Sequence, residues 1–170
     1  MDAVLEVDER LLLDLLNTTP VIDGEPTDDL AAEDAGLRWL TDHGQPASQA
    51  EWRTLLDARS ALQDVVRGAA GPQAVAPFIE GVGYRARLGD EGIEWNLDAP
   101  AGRAASARAV FTWDRLRHSG RLRPCANPDC RRFLIDHSKP NTARWCSMAV
   151  CGNRMKARRH YRRAQQSEVD

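Results

Sequence analysis

The chemistry this sequence offers is concentrated in four cysteines. Cys125, Cys130, Cys146 and Cys151 are its only cysteines, and they form two C-x4-C pairs separated by fifteen residues. Zinc takes four soft donors at tetrahedral positions, and four thiolates supply them. The spacing therefore predicts one structural Zn2+ per chain, bound by all four. Asn127-Pro128-Asp129 lies inside the first pair and has turn chemistry that folds the chain back between ligands. Ser147 is placed to cap a helical turn, which would bring Cys146 near backbone N–H groups that favour a thiolate. Residues 121–151 hold few large apolar side chains, so an ion would substitute for a core. Two other readings stand beside this one: a thiol redox site, and ordinary buried thiols. Neither pair has the C-x-x-C spacing of redox motifs. His137 competes as a ligand, but four cysteines already close the shell, which places it on the surface or behind a ligand. A closed shell also leaves no position for a reacting water, so the zinc is expected to be structural.

Positive charge follows the metal motif directly. No helix breaker occurs from Asn153 to Gln165. At 100° per residue, Arg154, Arg158, Arg162, Arg159, Arg163 and Lys156 occupy one arc of about 200°. The opposite flank holds Asn153, Ala157, His160, Tyr161 and Ala164, small or semi-apolar enough to pack on the finger. Cations crowded on one face repel each other unless phosphates oppose them. An arginine-rich helix also fits the DNA major groove. Arg144, Asn153, Arg154, Lys156, Arg158, Arg159, Arg162 and Arg163 are therefore candidate nucleic-acid contacts. No stacking platform of the single-strand type is visible, which favours double-stranded DNA.

The rest of the chain must position these groups. Residues 1–120 carry 11 Lys and Arg against 21 Asp and Glu, whereas residues 121–170 carry 12 against 4. That asymmetry suggests two modules with different partners. A leucine stripe (Leu11, Leu12, Leu15, Leu16) predicts a helix over 8–17. A second helix is expected near 28–42, capped by Thr27, and a third near 49–68, opened by a Ser48/Glu51 capping box. A short helix is expected near 73–80. "VGYRARL" and "GIEWNLDA" alternate about "GDEG" and predict a β-hairpin. A further helix over about 101–118 would bury Ala109, Val110, Trp113 and Leu116. Trp39, Trp52, Trp95 and Trp113 are all expected in the core, and Asn17 and Thr18 are expected to be helix caps. The fold class is mainly α with a small β-hairpin (α+β), a helical N-terminal domain followed by a four-cysteine finger and a basic helix.

At this point the residues resemble a known family. Residues 121–163, "RLRPCANPDCRRFLIDHSKPNTARWCSMAVCGNRMKARRHYRR", resemble the CGNR zinc finger, whose tetrad is here Cys151-Gly152-Asn153-Arg154. Phe133, Asp136, Ser138, Arg144, Trp145, Ser147 and Met148 also fit its pattern. Upstream, "LLLDLLNT" resembles the Asp-Leu-x-Asn-Thr signature of the ABATE domain, carried here by Asp14, Asn17 and Thr18. The resemblance implies a bacterial, stress-related transcription regulator. It also implies an ABATE-like domain over 1–119, a zinc finger with its basic helix over 120–166, and a tail over 167–170.

Function is therefore expected to be DNA binding in transcriptional regulation. The N-terminal domain would sense a small-molecule effector or form a homodimer. The alternatives are a zinc-stabilised protein-interaction or RNA-binding module, and a thiol redox sensor. No enzyme is expected, because residues 1–120 hold only His43 and His118 and lack a phosphate loop or a nucleophile–base signature. No apolar run approaches a membrane span. The acidic start "MDAVLEVDER" lacks the basic stretch of a secretory signal, so a cytoplasmic location is expected.

Overall fold

The computed structural model describes the backbone of residues 2–167 and the side chains of residues 9–165; beyond Ser167 the expected tail lies outside them. Helix α1 (Asp2–Leu16) buries Leu11, Leu12, Leu15 and Leu16, as the leucine stripe predicts. The polar loop after it is a small hairpin of β1 (Val21–Ile22) and β2 (Glu25–Pro26), turned by Asp23 and Gly24. Helix α2 (Glu33–Asp42) starts later than expected. Asp28 does not join it because its carboxylate accepts from Leu30 N at 2.9 Å and pairs with Arg59. Nor does Thr27 cap it, since its hydroxyl donates to Pro20 O at 3.1 Å. Gly36 lets α2 approach the next helix closely: a Cβ there would lie 2.1 Å from the Trp52 ring.

Helix α3 (Gln49–Arg67) opens as expected, with Ser48 Oγ accepting from Glu51 N at 3.2 Å. The reciprocal half of the box is absent. Glu51 is buried, and its carboxylate accepts instead from Ala104 N (2.9 Å) and Ala105 N (3.2 Å). It thereby caps helix α4 (Ala104–Arg117), whose own Arg103 supplies no side-chain cap. The expected short helix at 73–80 is a 3-10 turn, Pro72–Phe78. Strands β3 (Gly83–Gly89) and β4 (Gly92–Asp98) form the predicted hairpin, with Tyr84 opposite Leu97, Ala86 opposite Trp95 and Leu88 opposite Ile93.

Helices α1, α3 and α4 pack together around the buried leucines. Of the four tryptophans expected in the core, Trp113 is buried and Trp39 and Trp52 pack half-buried against it. Trp95 is not in the core: it stands in solvent, 66% exposed, on the β3–β4 hairpin. After Gly120, β5 (Leu122–Pro124) pairs antiparallel with β6 (Phe133–Ile135), and Phe133 enters the same core as the helices. The last described element is helix α5 (Asn153–Ser167). The whole is mixed α and β, dominated by helix, with three two-stranded sheets among the described residues.

Candidate metal centre and the basic helix beside it

Two turns bring the four sulfurs together. In the first, Cys125 N donates to Arg132 O at 2.8 Å and Cys130 N to Asn127 O at 2.9 Å, folding "CANPDC" back on itself. The second begins where β6 has passed and the chain has returned through residues 136–145. Asp136 shapes that return. It is buried and accepts from Ser138 N (2.9 Å), Ala143 N (2.7 Å) and Arg123 Nη2 (3.0 Å). Hydrogen bonding to Ser138 above all, against the opposing effect of burial, holds its carboxyl down at about 2.

All four Sγ atoms lie within 4.8 Å of one another, and Cys146 Sγ is 3.7 Å from both Cys130 Sγ and Cys151 Sγ. Four sulfurs placed about 2.3 Å from one ion in a tetrahedron would stand about 3.8 Å apart. A disulfide would need about 2 Å, and none is formed. Two N–H groups point at the sulfurs: Cys146 N to Cys125 Sγ and Asn127 Nδ2 to Cys151 Sγ, both at 3.4 Å. Such donors suit thiolates. Burial and the crowding of neighbouring sulfurs push the Cys146 thiol far up, and burial raises Cys130. Cys151 moves the other way despite its burial, because Asn127 and the other thiols donate to it. Four thiolates this close need a cation among them, and the donor set fits a single structural Zn2+. His137 stands apart from the cluster, exposed, with Nε2 3.4 Å from Glu9 Oε2.

The second pair leads straight into the basic helix. Ser147 caps as predicted, accepting from Val150 N at 3.3 Å. A π turn, Met148–Gly152, then runs into α5 without a break. Gly152 serves close packing rather than a change of direction: a Cβ there would lie 2.8 Å from the Met148 thioether and 3.3 Å from Trp145.

Residues 121–164 match the CGNR zinc finger family. The match takes in all four cysteines, the Asp136 latch and most of α5. It starts at Arg121 and gives no support to the ABATE resemblance of the residues before it. No curated protein matches the chain.

The segment that matches the CGNR zinc finger is held on the helices by Arg67 of α3, which donates to Arg131 O at 2.9 Å, and by a two-bond clasp from Asn17. Asn17 Oδ1 accepts from Phe133 N at 2.7 Å, and Asn17 Nδ2 donates to Phe133 O at 3.2 Å. A residue expected as a cap thus holds a strand that lies 116 positions away. Thr18 bonds locally to Leu15 O and accepts from the buried Arg59 at 2.9 Å. Asp14 meets His43 Nε2 at 3.1 Å. Asp14, Asn17 and Thr18 do come together, on the wall of an open cleft of about 570 Å3 that Trp39, His43 and Arg132 also line.

The predicted cations divide. Arg158 is half-buried and ion-paired with Asp129 of the first cysteine turn. Arg154 lines a second cleft with Asp129, Arg131 and the β1–β2 turn. Asn153 bonds back to Ala149 O at 3.2 Å, and Lys156 points to solvent. Arg159, Arg162 and Arg163 surround a groove of about 490 Å3 with Arg144, floored by Trp145 and Met155. Among the described residues no carboxylate pairs with these four. Arg144 lies over the Trp145 ring at 5.3 Å.

One expectation is reversed here. The flank of Ala157, His160, Tyr161 and Ala164 does not pack on the finger but faces solvent, with Tyr161 69% exposed. The cationic side faces the finger instead: Met155 and Trp145 line one groove, and Arg158 pairs with Asp129. A methionine beside an indole and one ion pair anchor the first two turns, and the rest of the helix projects. Periodicity identified the charged arc but not the neighbour it would turn towards.

Proposed function

We propose that this chain binds duplex DNA as a transcription regulator, with Zn2+ and the finger setting the direction in which α5 meets the double helix. The observation that carries the reading is the groove of Arg144, Arg159, Arg162 and Arg163. Four guanidinium groups, with no carboxylate partner among the described residues, line one concave surface. Each would release counterions on meeting a phosphate. Lys156, exposed on the same helix, adds a fifth cation at the edge of this surface. Arg158 has a different role, docking α5 on the finger, and Arg154 faces the β1–β2 turn. Zinc acts by architecture: it ties the first cysteine turn, which holds Arg158 through Asp129, to the π turn from which α5 grows.

Fluorescence anisotropy of the zinc-loaded chain on a labelled duplex tests this. With about five phosphates neutralised, log affinity should fall against log salt with a slope of roughly −4 to −5. Arg162→Ala with Arg163→Ala should reduce the slope by about 2 and weaken binding to all sequences alike. A flat salt dependence, or no binding at low salt, would overturn the reading. Stronger binding to RNA or to an acidic protein in competition would redirect it.

A further inference from the structure

The β3–β4 hairpin is built as a two-faced ribbon, and only one of its faces is accounted for. Residues directly opposite in an antiparallel pair share a face. One face therefore carries Arg85, Arg87, Glu94, Asn96 and Asp98, with Arg85 ion-paired to Asp98 across the strands. That face is charged and suits water. The other carries Tyr84, Ala86, Leu88, Ile93, Trp95 and Leu97, with no charge at all. Leu88 is 82% exposed, Ile93 67%, Trp95 66% and Tyr84 50%. Among the described residues the root of this face meets the body, where Tyr84 stands 5.8 Å from Phe111 of α4 between ring centres.

An isolated two-stranded hairpin is marginal in water and needs a further layer on its apolar face to be stable. From their exposures, the four large side chains leave roughly 450 Å2 uncovered, as much as the largest patch on an ordinary monomer. We infer that the apolar face of the β3–β4 hairpin is a homodimer surface, on which a second copy of this chain lays the same face.

Three features select a second copy. The face is uncharged, so it complements itself under a two-fold axis without placing like charges together. Edge-to-edge pairing does not share this property. Two β3 edges would bring Arg85 and Arg87 towards their own copies, and two β4 edges would do the same with Glu94 and Asp98. Face-to-face stacking avoids both conflicts, at the spacing of about 10 Å usual for packed sheets. The tips, Asp90 and Glu91, are acidic, so antiparallel stacking keeps them apart. Area is the third feature. Two copies of the patch bury roughly 900–1,000 Å2, at the lower bound for a specific interface, so the dimer is reversible and forms in the micromolar range. This inference does not rest on DNA binding.

Sedimentation velocity of the full zinc-loaded chain, from about 1 to 500 μM to span that range, provides the test. The wild type should pass from monomer to dimer across the series. Leu88→Glu places a charge within the buried face, in the row nearest the turn, and should raise the dissociation constant at least ~100-fold. Ile93→Lys should do the same, and Arg87→Glu on the opposite face should change it less than ~3-fold. Far-UV circular dichroism and zinc content verify the fold of each variant; both target side chains are exposed, so neither fold should change. A wild type that stays monomeric throughout overturns the inference, and is the outcome expected if the face meets a different protein. A dimer that survives both Leu88→Glu and Ile93→Lys overturns it as well.

Discussion

Replacing Asn17 by alanine removes the clasp between α1 and β6, and its cost follows from the bonds lost. Two hydrogen bonds disappear, at 2.7 and 3.2 Å, each with a net contribution of about 1 kcal/mol. Phe133 N–H and C=O are left with water as their only other partner, and Phe133 itself is in the core. Asn17 is half-buried, so water reaches the gap and the loss stays near the low end, about 2 kcal/mol. Urea unfolding of the zinc-loaded chain should then show a midpoint lowered by about 1 M, for a slope near 2 kcal/mol/M. The clasp exists only while β6 is held in place, and the cysteine cluster holds the turns on both sides of β6. In a Cys146→Ser background, which removes one zinc ligand, Asn17→Ala should cost little more. The two changes should therefore couple by about 2 kcal/mol in a double-mutant cycle. A single-variant loss below ~0.5 kcal/mol would show that the clasp carries no load. An undiminished loss in the serine background would refute the linkage between metal and helix bundle.

Metal analysis of freshly reduced protein should find one zinc per chain, and chelation should unfold residues 121–151 while the helices of the N-terminal part persist by circular dichroism. Glu51→Ala should cost about 1–3 kcal/mol, with exchange protection lost first at Ala104 and Ala105, whose N–H groups it leaves uncapped. Asp28 has a lowered pKa, through its hydrogen bonds with Arg59 first of all and in spite of partial burial. A lowered folded-state value means that its contribution is complete above the ordinary carboxylate range and is lost as pH falls through the folded value. Asp28→Asn should therefore lower stability at neutral pH and flatten the acid limb below about pH 4. An acid limb identical to that of the wild type would exclude Asp28 as a contributor.

The zinc site was legible because its determinants are local. Four cysteines at two short spacings, a turn inside one pair and a capping serine inside the other specify a ligand set almost without reference to the rest of the chain. The helix faces of α1, α3 and α4 were legible for a similar reason: burial follows a 3.6-residue period whatever lies opposite. Tertiary structure decided every contact between a named polar group and a distant partner. Glu51 had the spacing of a capping box but found two better donors at the start of α4. Asn17 sat where a cap belongs but met Phe133. Arg158, one of six cations on an arc, met the only acid in the first cysteine turn and became an anchor. Trp95 stands on the uncharged face of an alternating strand, as a core residue would, but that face stays in solvent. Periodicity states which side of an element is apolar; which surface lies against that side depends on how the chain closes over long separations, and one sequence read along its length does not contain that pairing.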